Sequence, residues 1–470
     1  MTHPLVVIGA GPTGLAAAAH AHARGLETVV LEGGDAPGAA VRTWGHVRLF
    51  SPWAELVDPA AEKLLADAGW QAPTPTDYPT GADWVADYLQ PLADALAATD
   101  LVTIAYRHRV TGVARSGRDV MVDAGREDHP FVVHVTGPDG PQRLLASAVI
   151  DASGTWGTPN PLGTDGYPAI GEADHADRIT YGIPDVADPT TAARYAGKHV
   201  AVAGTGASAQ NTLVGLARLA QSHPGTQISW LVRRAGVGQA FGGGDNDQLV
   251  ERGALGKRAQ QAAESSLVIT LTSFRTVAVT DTADGRLRLE SLDGQVVDDV
   301  DEVVVVTGFR PDLSFLTEVR LDLDPVLQSP RQLAPLIDPN VHSCGTVYPH
   351  GATDLEQPEH NFFLAGMKSY GRAPSFLTLT GFEQTRSIVA AIAGDREAAA
   401  RVELVLPETG VCGGSGDFDD GAVCGIDQSP SEAVPAVQTN GEGCCSPSAS
   451  SELLTIGTSD TIQRLSPFRS

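Results

Sequence analysis

The feature that most constrains this chain is a glycine motif that occurs twice. The first copy, G-x-G-x-x-G, spans residues 9–14, and the second, G-x-G-x-x-A, spans residues 204–209. Each copy follows a short apolar run that predicts a strand and precedes a segment that predicts a helix. In this context the glycines are typical of a dinucleotide-binding βαβ unit. Because such a repeat indicates two copies of one domain type, the sequence predicts an α/β protein with two Rossmann-like domains.

The second unit interrupts the first. A strand predicted at 148–150 ends in a turn at residues 151–154, and a strand predicted at 303–306 ends in a similar turn at residues 307–308. We therefore expect residues 1–160 and 311–406 to form the first nucleotide-binding domain and residues 161–310 to form the inserted one. Residues 407–470 are rich in Gly, Ser, Pro and Asp and carry nine acidic and two basic residues. That composition predicts a disordered tail.

Charge and hydropathy exclude several classes of partner. The chain has 32 Lys and Arg against 57 Asp and Glu, for a formal net charge of −25. Such a charge disfavours binding to nucleic acid or to an anionic membrane through a general basic field. No stretch resembles a signal peptide, and no apolar run approaches the roughly 18 residues that a bilayer span needs. We therefore expect a cytoplasmic protein without a nucleic-acid or membrane partner.

The first motif predicts a pyrophosphate site. Gly9 permits the tight turn, Gly11 lets the backbone approach the phosphates, and Gly14 allows the helix to pack closely on the strand. The helix N-terminus presents free N–H groups to the phosphates. An acidic residue ends the next predicted strand, and its carboxylate can accept hydrogen bonds from ribose hydroxyls. The residues of this predicted site are Gly9, Gly11, Pro12, Thr13, Gly14 and Glu32.

The second motif predicts a different coenzyme, because two arginines follow its second strand where the first unit has an acid. A carboxylate would repel a 2′-phosphate, whereas a guanidinium grips it with two hydrogen bonds. This favours NADPH over NADH; the alternative is two solvated arginines on a loop. Two such sites in one chain suggest a tightly bound flavin and the nicotinamide that reduces it. The predicted residues are Gly204, Gly206, Ala207, Ser208, Arg233 and Arg234.

The whole arrangement resembles the flavoproteins with two dinucleotide-binding domains, such as flavin-containing monooxygenases and thioredoxin-reductase-like proteins, over roughly residues 4–395. The resemblance implies FAD at the first motif and NADPH at the second. It also implies two Ala-Thr-Gly-like turns, a backbone contact to adenine, and a closing strand and helix against the flavin. That family often has Gly-Asp in the closing strand, where this chain has Gly-Met. The positions that correspond are Val110, Ala152, Ser153, Gly154, Thr307, Gly308, Gly366 and Thr378, together with Met367, which stands where the family often has Asp.

Two features bear on the type of reaction. Disulphide reductases of this superfamily carry a cysteine pair beside the flavin, and residues 1–400 contain no Cys-x-x-Cys or Cys-x₄-Cys. Monooxygenases carry F-x-G-x-x-x-H-x-x-x-aromatic before the second motif. Gly171 and His175 match its centre, but its aromatic ends are missing, so an exposed linker histidine is an equal alternative. His175 and Trp44, which lies in an aromatic and basic segment expected near the flavin, are weak candidates for catalysis. For Trp44 the alternative is ordinary core.

The tail resembles a narrower group. Residues 407–412 and the adjacent cysteines at 444 and 445, behind a body that contains Tyr-Gly-Ile-Pro-Asp at 181–185, look like actinobacterial flavoproteins associated with arsenic-resistance operons. The resemblance implies flavin chemistry linked to arsenicals. Soft thiolates suit metalloids, although incidental cysteines in a disordered tail are the alternative. The candidate ligands for trivalent arsenic are Cys412, Cys424, Cys444 and Cys445.

These observations predict an FAD- and NADPH-dependent oxidoreductase of the monooxygenase-like type, acting on a small molecule or on oxygen. One alternative is a flavin-dependent reductase that acts on a thiol or a metalloid through the tail cysteines. Another is a non-enzymatic flavin-bearing sensor or metalloid-binding protein. A homodimer is left open.

Overall fold

The structure is a computed structural model that describes residues 3–244, 247, 249–339, 349–374 and 376–404. The tail and its four cysteines lie outside the described residues. The strands are β1 (Leu5–Ile8), β2 (Thr28–Leu31), β3 (Val102–Ala105), β4 (Arg109–Arg115), β5 (Phe131–Gly137), β6 (Gly140–Ala146), β7 (Ala148–Asp151), β8 (Ile179–Tyr181), β9 (His199–Ala203), β10 (Gln227–Leu231), β11 (Val268–Leu271), β12 (Thr276–Asp281), β13 (Leu287–Ser291), β14 (Val296–Val300), β15 (Glu302–Val305) and β16 (Phe362–Leu364).

The helices are numbered along the chain in the same way. They are α1 (Pro12–Ala23), α2 (Ala39–Thr43), α3 (Pro59–Asp67), α4 (Gly81–Trp84), α5 (Gln90–Ala97), α6 (Pro189–Tyr195), α7 (Ala207–Ser222), α8 (Val250–Ala263), α9 (Ala334–Ile337), α10 (Ala352–Leu355), α11 (Thr378–Ile392) and α12 (Arg396–Ala400). A π-helical turn, Val85–Leu89, joins α4 to α5. Short 3₁₀ turns occur at Trp53–Glu55, Arg126–Asp128, Gly238–Phe241, Ser314–Leu316 and Gly366–Tyr370. None of the helices in the described part of the chain is both long and apolar enough to cross a membrane.

The first parallel sheet has the strand order β16-β7-β1-β2-β3. All four residues of β1 are buried, because both faces of this sheet are covered. Leu5 and Val7 pack with α1, α3, α5 and α11 on one face. Val6 and Ile8 point the other way and pack with the antiparallel sheet β4-β5-β6. The continuous apolar run in the sequence therefore reflects a sheet buried between a helical layer and a second sheet.

The second parallel sheet repeats this plan with the order β11-β10-β9-β15-β8. Val200 and Val202 of β9 pack with α7 on one face. Ala201 and Ala203 pack on the other face with the antiparallel sheet β12-β13-β14. The predicted fold class, with two Rossmann-like units, is confirmed. The second sheet lies within residues 179–305, and the first sheet regains a strand, β16, only at residue 362.

Candidate functional site

The first glycine motif forms a cradle: its first and last glycines are packed against backbone atoms, and its middle glycine faces open space. Gly9 has φ +100°, and a Cβ there would lie 2.8 Å from the carbonyl oxygen of Ala152. A Cβ at Gly14 would lie 1.9 Å from the carbonyl oxygen of Gly9. Gly11 has an ordinary φ of −78°, and a Cβ there would meet nothing within 4 Å. The open space beside Gly11 is therefore a cradle that a ligand can enter.

The electrostatics of this cradle suit an anion. Gly11 is the N-cap of α1, no side chain caps that helix, and its first turn carries no acidic residue. Free N–H groups and the positive end of the helix dipole therefore face the open space. The structure fits the pyrophosphate predicted from the sequence.

Glu32 lies directly after β2 and holds the backbone around the cradle. Its Oε2 accepts a hydrogen bond from the N–H of Ala10, and its Oε1 accepts one from the N–H of Gly34, each at 2.7 Å. Each carboxylate oxygen can accept more than one hydrogen bond, so a ribose can still be recognised. The sequence predicted the ribose contact and missed this structural role.

Beside Glu32 lies a basic cleft that the sequence analysis did not identify. The guanidinium of Arg109 is 3.5 Å from the position of a Cβ on Gly33, and Arg107 lines the same cleft. The side chain of Val110 points away from it and is buried against Ile8 and Leu31 in the core. The predicted contact of Val110 with adenine is therefore limited to its backbone.

The closing segment sits directly on the first motif. Gly366 has φ +69°, and a Cβ there would lie 2.7 Å from Oγ1 of Thr13. A Cβ on Gly381 in α11 would lie 3.0 Å from the same Oγ1. The N–H of Gly366 donates to Oε1 of the buried Gln384 at 2.7 Å, and Met367 is half-buried. Thr13 thus brings α1, the turn after β16 and the first turns of α11 together.

The second motif has the same geometry as the first. Gly204 has φ +132°, and a Cβ there would lie 2.3 Å from the carbonyl oxygen of Val306. A Cβ at Gly206 would meet nothing within 4 Å. The indole of Trp230 donates to the carbonyl oxygen of Gly204 at 2.7 Å and holds the turn. Because α7 begins here without a side-chain cap or an acidic residue in its first turn, this cradle also suits an anion.

The predicted coenzyme-reading arginines follow β10, with Arg233 exposed and Arg234 half-buried. The turn at Thr307 and Gly308 is exposed and lies in the segment that leads out of the second unit. It is hydrogen-bonded to Asn160, which lies in the segment that leads into that unit. Thr307 Oγ1 donates to the carbonyl oxygen of Asn160 at 3.1 Å, and Nδ2 of Asn160 donates to the carbonyl oxygen of Thr307 at 3.0 Å. The two connections therefore support each other where they run side by side in opposite directions.

A cavity of about 290 Å³ lies between the two units. Its wall includes Ala207 and Ser208 at the start of α7 and Thr378 at the start of α11. No side chain caps α11, and no acidic residue lies in its first turn, so its N-terminus favours negative charge at the cavity. Arg48 is the one charged side chain among the described residues that line the cavity. The aromatic part of the wall consists of Trp44, Phe50, Trp156 and Phe376.

His175 does not line this cavity. Its Nδ1 lies 2.7 Å from the carbonyl oxygen of Gly171, and its Nε2 lies 3.3 Å from Asp281 Oδ2 on β12. Gly171 has φ +78°, and a Cβ there would lie 2.1 Å from the carbonyl oxygen of Val279. Both residues hold the first connection against the antiparallel sheet. Of the two weak candidates for catalysis, the structure therefore brings Trp44 to the cavity and leaves His175 outside it.

Two parallel sheets with one open glycine cradle each define a protein with two dinucleotide-binding domains. Residues 6–344 match the model of the pyridine nucleotide-disulphide oxidoreductase family, and the chain belongs to that family. The match confirms an oxidoreductase, and the predicted cofactors FAD and NADPH are those of this family. No curated protein matches the sequence.

Solved structures share the fold. The chain is similar to bacillithiol disulfide reductase from Bacillus cereus, with 19% identity and a TM-score of 0.60 over 83% of this chain and 99% of that one. It is also similar to a cadaverine monooxygenase from Erwinia amylovora, with 14% identity and a TM-score of 0.57 over 87% and 99%. Ornithine N-hydroxylase from Kutzneria sp. 744 shows 17% identity and a TM-score of 0.54 over 84% and 100%. Reductases and monooxygenases therefore share this fold, and the fold does not separate them.

Proposed function

We propose that the chain is an NADPH-oxidising flavoenzyme of the monooxygenase-like type, acting on a small molecule or on oxygen. The observation that carries this proposal is the pair of open cradles on separate sheets, with a cavity between the two units. The N-terminal residues of α7, from the second motif, and of α11, which packs on the first motif, line the same cavity. A hydride donor held by one unit can therefore meet an acceptor held by the other.

The position of each motif suggests which part of a cofactor its residues would bind. The backbone of 9–14 would hold the FAD pyrophosphate, and Glu32 would accept from the ribose hydroxyls. The backbone of 204–209 would hold the NADPH pyrophosphate, and Arg233 with Arg234 would grip the 2′-phosphate. When bound, FAD supplies the two-electron redox chemistry and NADPH supplies the hydride. With the cofactors bound, the aromatic part of the cavity wall would limit the access of water, and the N-terminus of α11 would stabilise negative charge there.

Residues 1–400 contain a single cysteine, Cys344, and therefore no Cys-x-x-Cys or Cys-x₄-Cys pair. This favours oxygen chemistry over a dithiol relay in the wall of the cavity. We therefore assign the monooxygenase-like branch ahead of the reductase branch.

The test uses the full-length protein and three measurements. We expect a yellow protein with FAD bound in about one-to-one ratio, oxidation of NADPH faster than of NADH, and a turnover that falls at least tenfold when oxygen is removed. A colourless protein that takes up no added FAD would end the flavoenzyme proposal. Turnover that is equal with and without oxygen, given a disulphide acceptor, would instead assign the chain to the reductase branch.

A second candidate function is reduction of a thiol or metalloid through the tail. The observation that favours it is in the sequence: four of the five cysteines lie after residue 410, and two of them are adjacent. Soft thiolates prefer trivalent arsenic to hard cations. In that case the variant Cys444→Ser/Cys445→Ser should bind trivalent arsenic severalfold more weakly, while its FAD content stays unchanged. Equal arsenic binding by native and variant proteins, measured by calorimetry, would remove the tail from the function.

A further inference from the structure

A fully buried ion pair lies at the carboxyl edge of the first sheet. Nζ of Lys368 is 2.6 Å from Oδ2 of Asp151, and neither side chain is exposed to solvent. Asp151 is the last residue of β7, and Lys368 lies in the 3₁₀ turn after β16. Removing two charges from water costs several kcal/mol per ion, and the attraction between them offsets this only with good geometry and further hydrogen bonds. The position of this pair therefore needs an explanation beyond packing.

The pair is part of a closed cluster. Nζ of Lys368 also donates to Oγ of Ser153 at 3.0 Å and lies 4.3 Å from the ring centroid of Phe315. Oγ and N–H of Ser153 donate to Oδ1 of Asp151 at 2.6 Å and 3.1 Å. An ammonium has three N–H donors, and here a carboxylate, a hydroxyl and an aromatic face are available to them. Lys368 therefore acts through the chain segments that it holds and not by contacting a ligand.

Those segments are the two turns that meet the first glycine motif. The Cα of Ser153 would be 3.0 Å from a Cβ on Gly9, so the turn at 151–154 abuts the start of the motif. Gly366 abuts Thr13 at the other side of the motif. The N–H of Ala365 donates to the carbonyl oxygen of Asp151 at 2.9 Å in the sheet, and the ion pair continues this connection beyond the strand ends.

We propose that Lys368 is a positioning residue of the FAD site. Its ion pair with Asp151 holds the 151–154 and 366–370 turns against residues 9–14, so the cradle is already formed before the cofactor enters. Preorganisation of this kind raises affinity because less conformational entropy is lost on binding. The inference rests on the proposed assignment of FAD to the first motif.

The same sheet offers a matched control at its other edge. Glu359, three residues before β16, is 2% exposed, and its carboxylate lies 2.7 Å from Nε of Arg115 and 2.6 Å from Nη2 of Arg126. This cluster is as buried as the Lys368 cluster, but it lies at the amino edge, away from the glycine motif. Loss of a merely structural charge cluster should affect stability in the same way at either edge. Only the carboxyl edge should affect FAD.

The experiment compares full-length Lys368→Met, Asp151→Asn/Lys368→Met and Glu359→Gln with the native protein, each stripped of flavin. FAD is titrated into each at a temperature well below the melting temperature, and affinity, melting temperature and the visible circular dichroism of bound flavin are measured. We expect Lys368→Met to bind FAD at least tenfold more weakly. The double variant should recover melting temperature, since no lone charge is left buried, yet keep the weak affinity and an altered flavin spectrum. Glu359→Gln should melt earlier and bind FAD within twofold of native.

Two results would overturn the role of Lys368. One is a double variant that regains native FAD affinity together with native stability. The other is a loss of affinity in Glu359→Gln as large as in Lys368→Met. Where Lys368→Met does not fold, the double variant decides the question alone. Native protein that takes up no FAD at all would overturn the proposed function and this role with it, and it is distinguished by the native titration.

Discussion

The two nucleotide-binding halves build the same cradle from different sequences. Gly9 and Gly204 both have positive φ, and each packs against a carbonyl oxygen that follows the neighbouring strand, Ala152 or Val306. Gly11 and Gly206 both have φ −78° and both face open space. The part of each proposed site that would receive a pyrophosphate is therefore backbone geometry common to both halves.

The halves differ at the last residue of the six-residue motif and just after the strand that follows the motif helix. Gly14 lies so close to Gly9 that no side chain fits, whereas Ala209 has a buried methyl group. Glu32 directly follows β2, whereas Arg233 and Arg234 follow β10. The shared backbone offers no difference by which two dinucleotides could be told apart, so under the proposed function the side chains beyond it select the nucleotide.

The largest expected effect comes from filling each cradle. Gly11→Val should abolish FAD binding and leave NADPH binding, and Gly206→Val should do the reverse. Both positions have φ values open to any residue and space for a side chain, so the apoprotein should keep its melting temperature within a few degrees. Flavin absorbance and NADPH titration by fluorescence measure the two affinities. Loss of FAD in Gly206→Val would show that the two cradles are not independent.

A smaller effect is expected from the arginines. Arg233→Ala/Arg234→Ala should raise the KM for NADPH ten- to a hundredfold and leave the KM for NADH nearly unchanged. The loss of charge-assisted hydrogen bonds to a phosphate corresponds to about 1.5–3 kcal/mol. Steady-state kinetics with the two coenzymes give the comparison, and Arg218→Ala on the exposed part of α7 is a control for general charge. An equal change for both coenzymes would contradict a contact with the 2′-phosphate.

Substitutions at the last residue of each motif should lower the free energy of unfolding by different amounts in the two halves. Gly14→Ala places a Cβ 1.9 Å from a backbone oxygen, and relief of that contact should cost about 1–3 kcal/mol. Ala209→Gly should cost about 1 kcal/mol, since glycine is a poorer helix former. Urea unfolding of the two flavin-free variants measures both values. A larger loss in Ala209→Gly would mean that the packing of α1 on β1 does not depend on a glycine at position 14.

Glu359 in the first half and His175 in the second should give stability opposite dependences on pH. Burial raises the pKa of Glu359, but hydrogen bonds from Arg126 and Arg115 outweigh it, and the pKa lies below its ordinary 4.5. A lowered folded pKa contributes stability that is present above about pH 4.5 and is lost as pH falls through the folded value. As pH is lowered from 6 to 3, the unfolding free energy should therefore fall less steeply in Glu359→Gln than in the native protein.

His175 provides the opposite slope and the smallest effect. Its hydrogen bond with the carbonyl of Gly171, and then its contacts with Asp281, outweigh desolvation and raise its pKa above the ordinary 6.5. A raised folded pKa contributes stability that is present below about pH 6.5 and is lost as pH rises through the folded value. Asp281 is largely exposed, so the contribution is at most about 1 kcal/mol. His175→Gln should flatten stability between pH 6 and 8, and an unchanged slope would contradict the ion pair.

Much of each cradle could be predicted because its requirements are local. The strand, the glycine turn and the helix follow one another within about twenty residues, and the need for glycine comes from φ and from contacts inside the motif. The spacing of Gly171 and His175 was also local, but it did not show that Asp281 on β12 is the partner of His175. The monooxygenase-like activity, the homodimer, the cytoplasmic location and the arsenic site stay predictions.

By itself the sequence determined that there are two nucleotide cradles and which of them carries an acid and which carries arginines. Only the tertiary structure decided that Trp44, Trp156, Ser208 and Phe376 share one cavity, because these residues belong to four distant segments. It also decided that Lys368 pairs with Asp151 across more than two hundred residues. The physical reason is the order of the first sheet: β16 lies beside β7, so the turns after both strands meet at one edge. That pairing depends on the packing of the whole sheet, which no local pattern encodes.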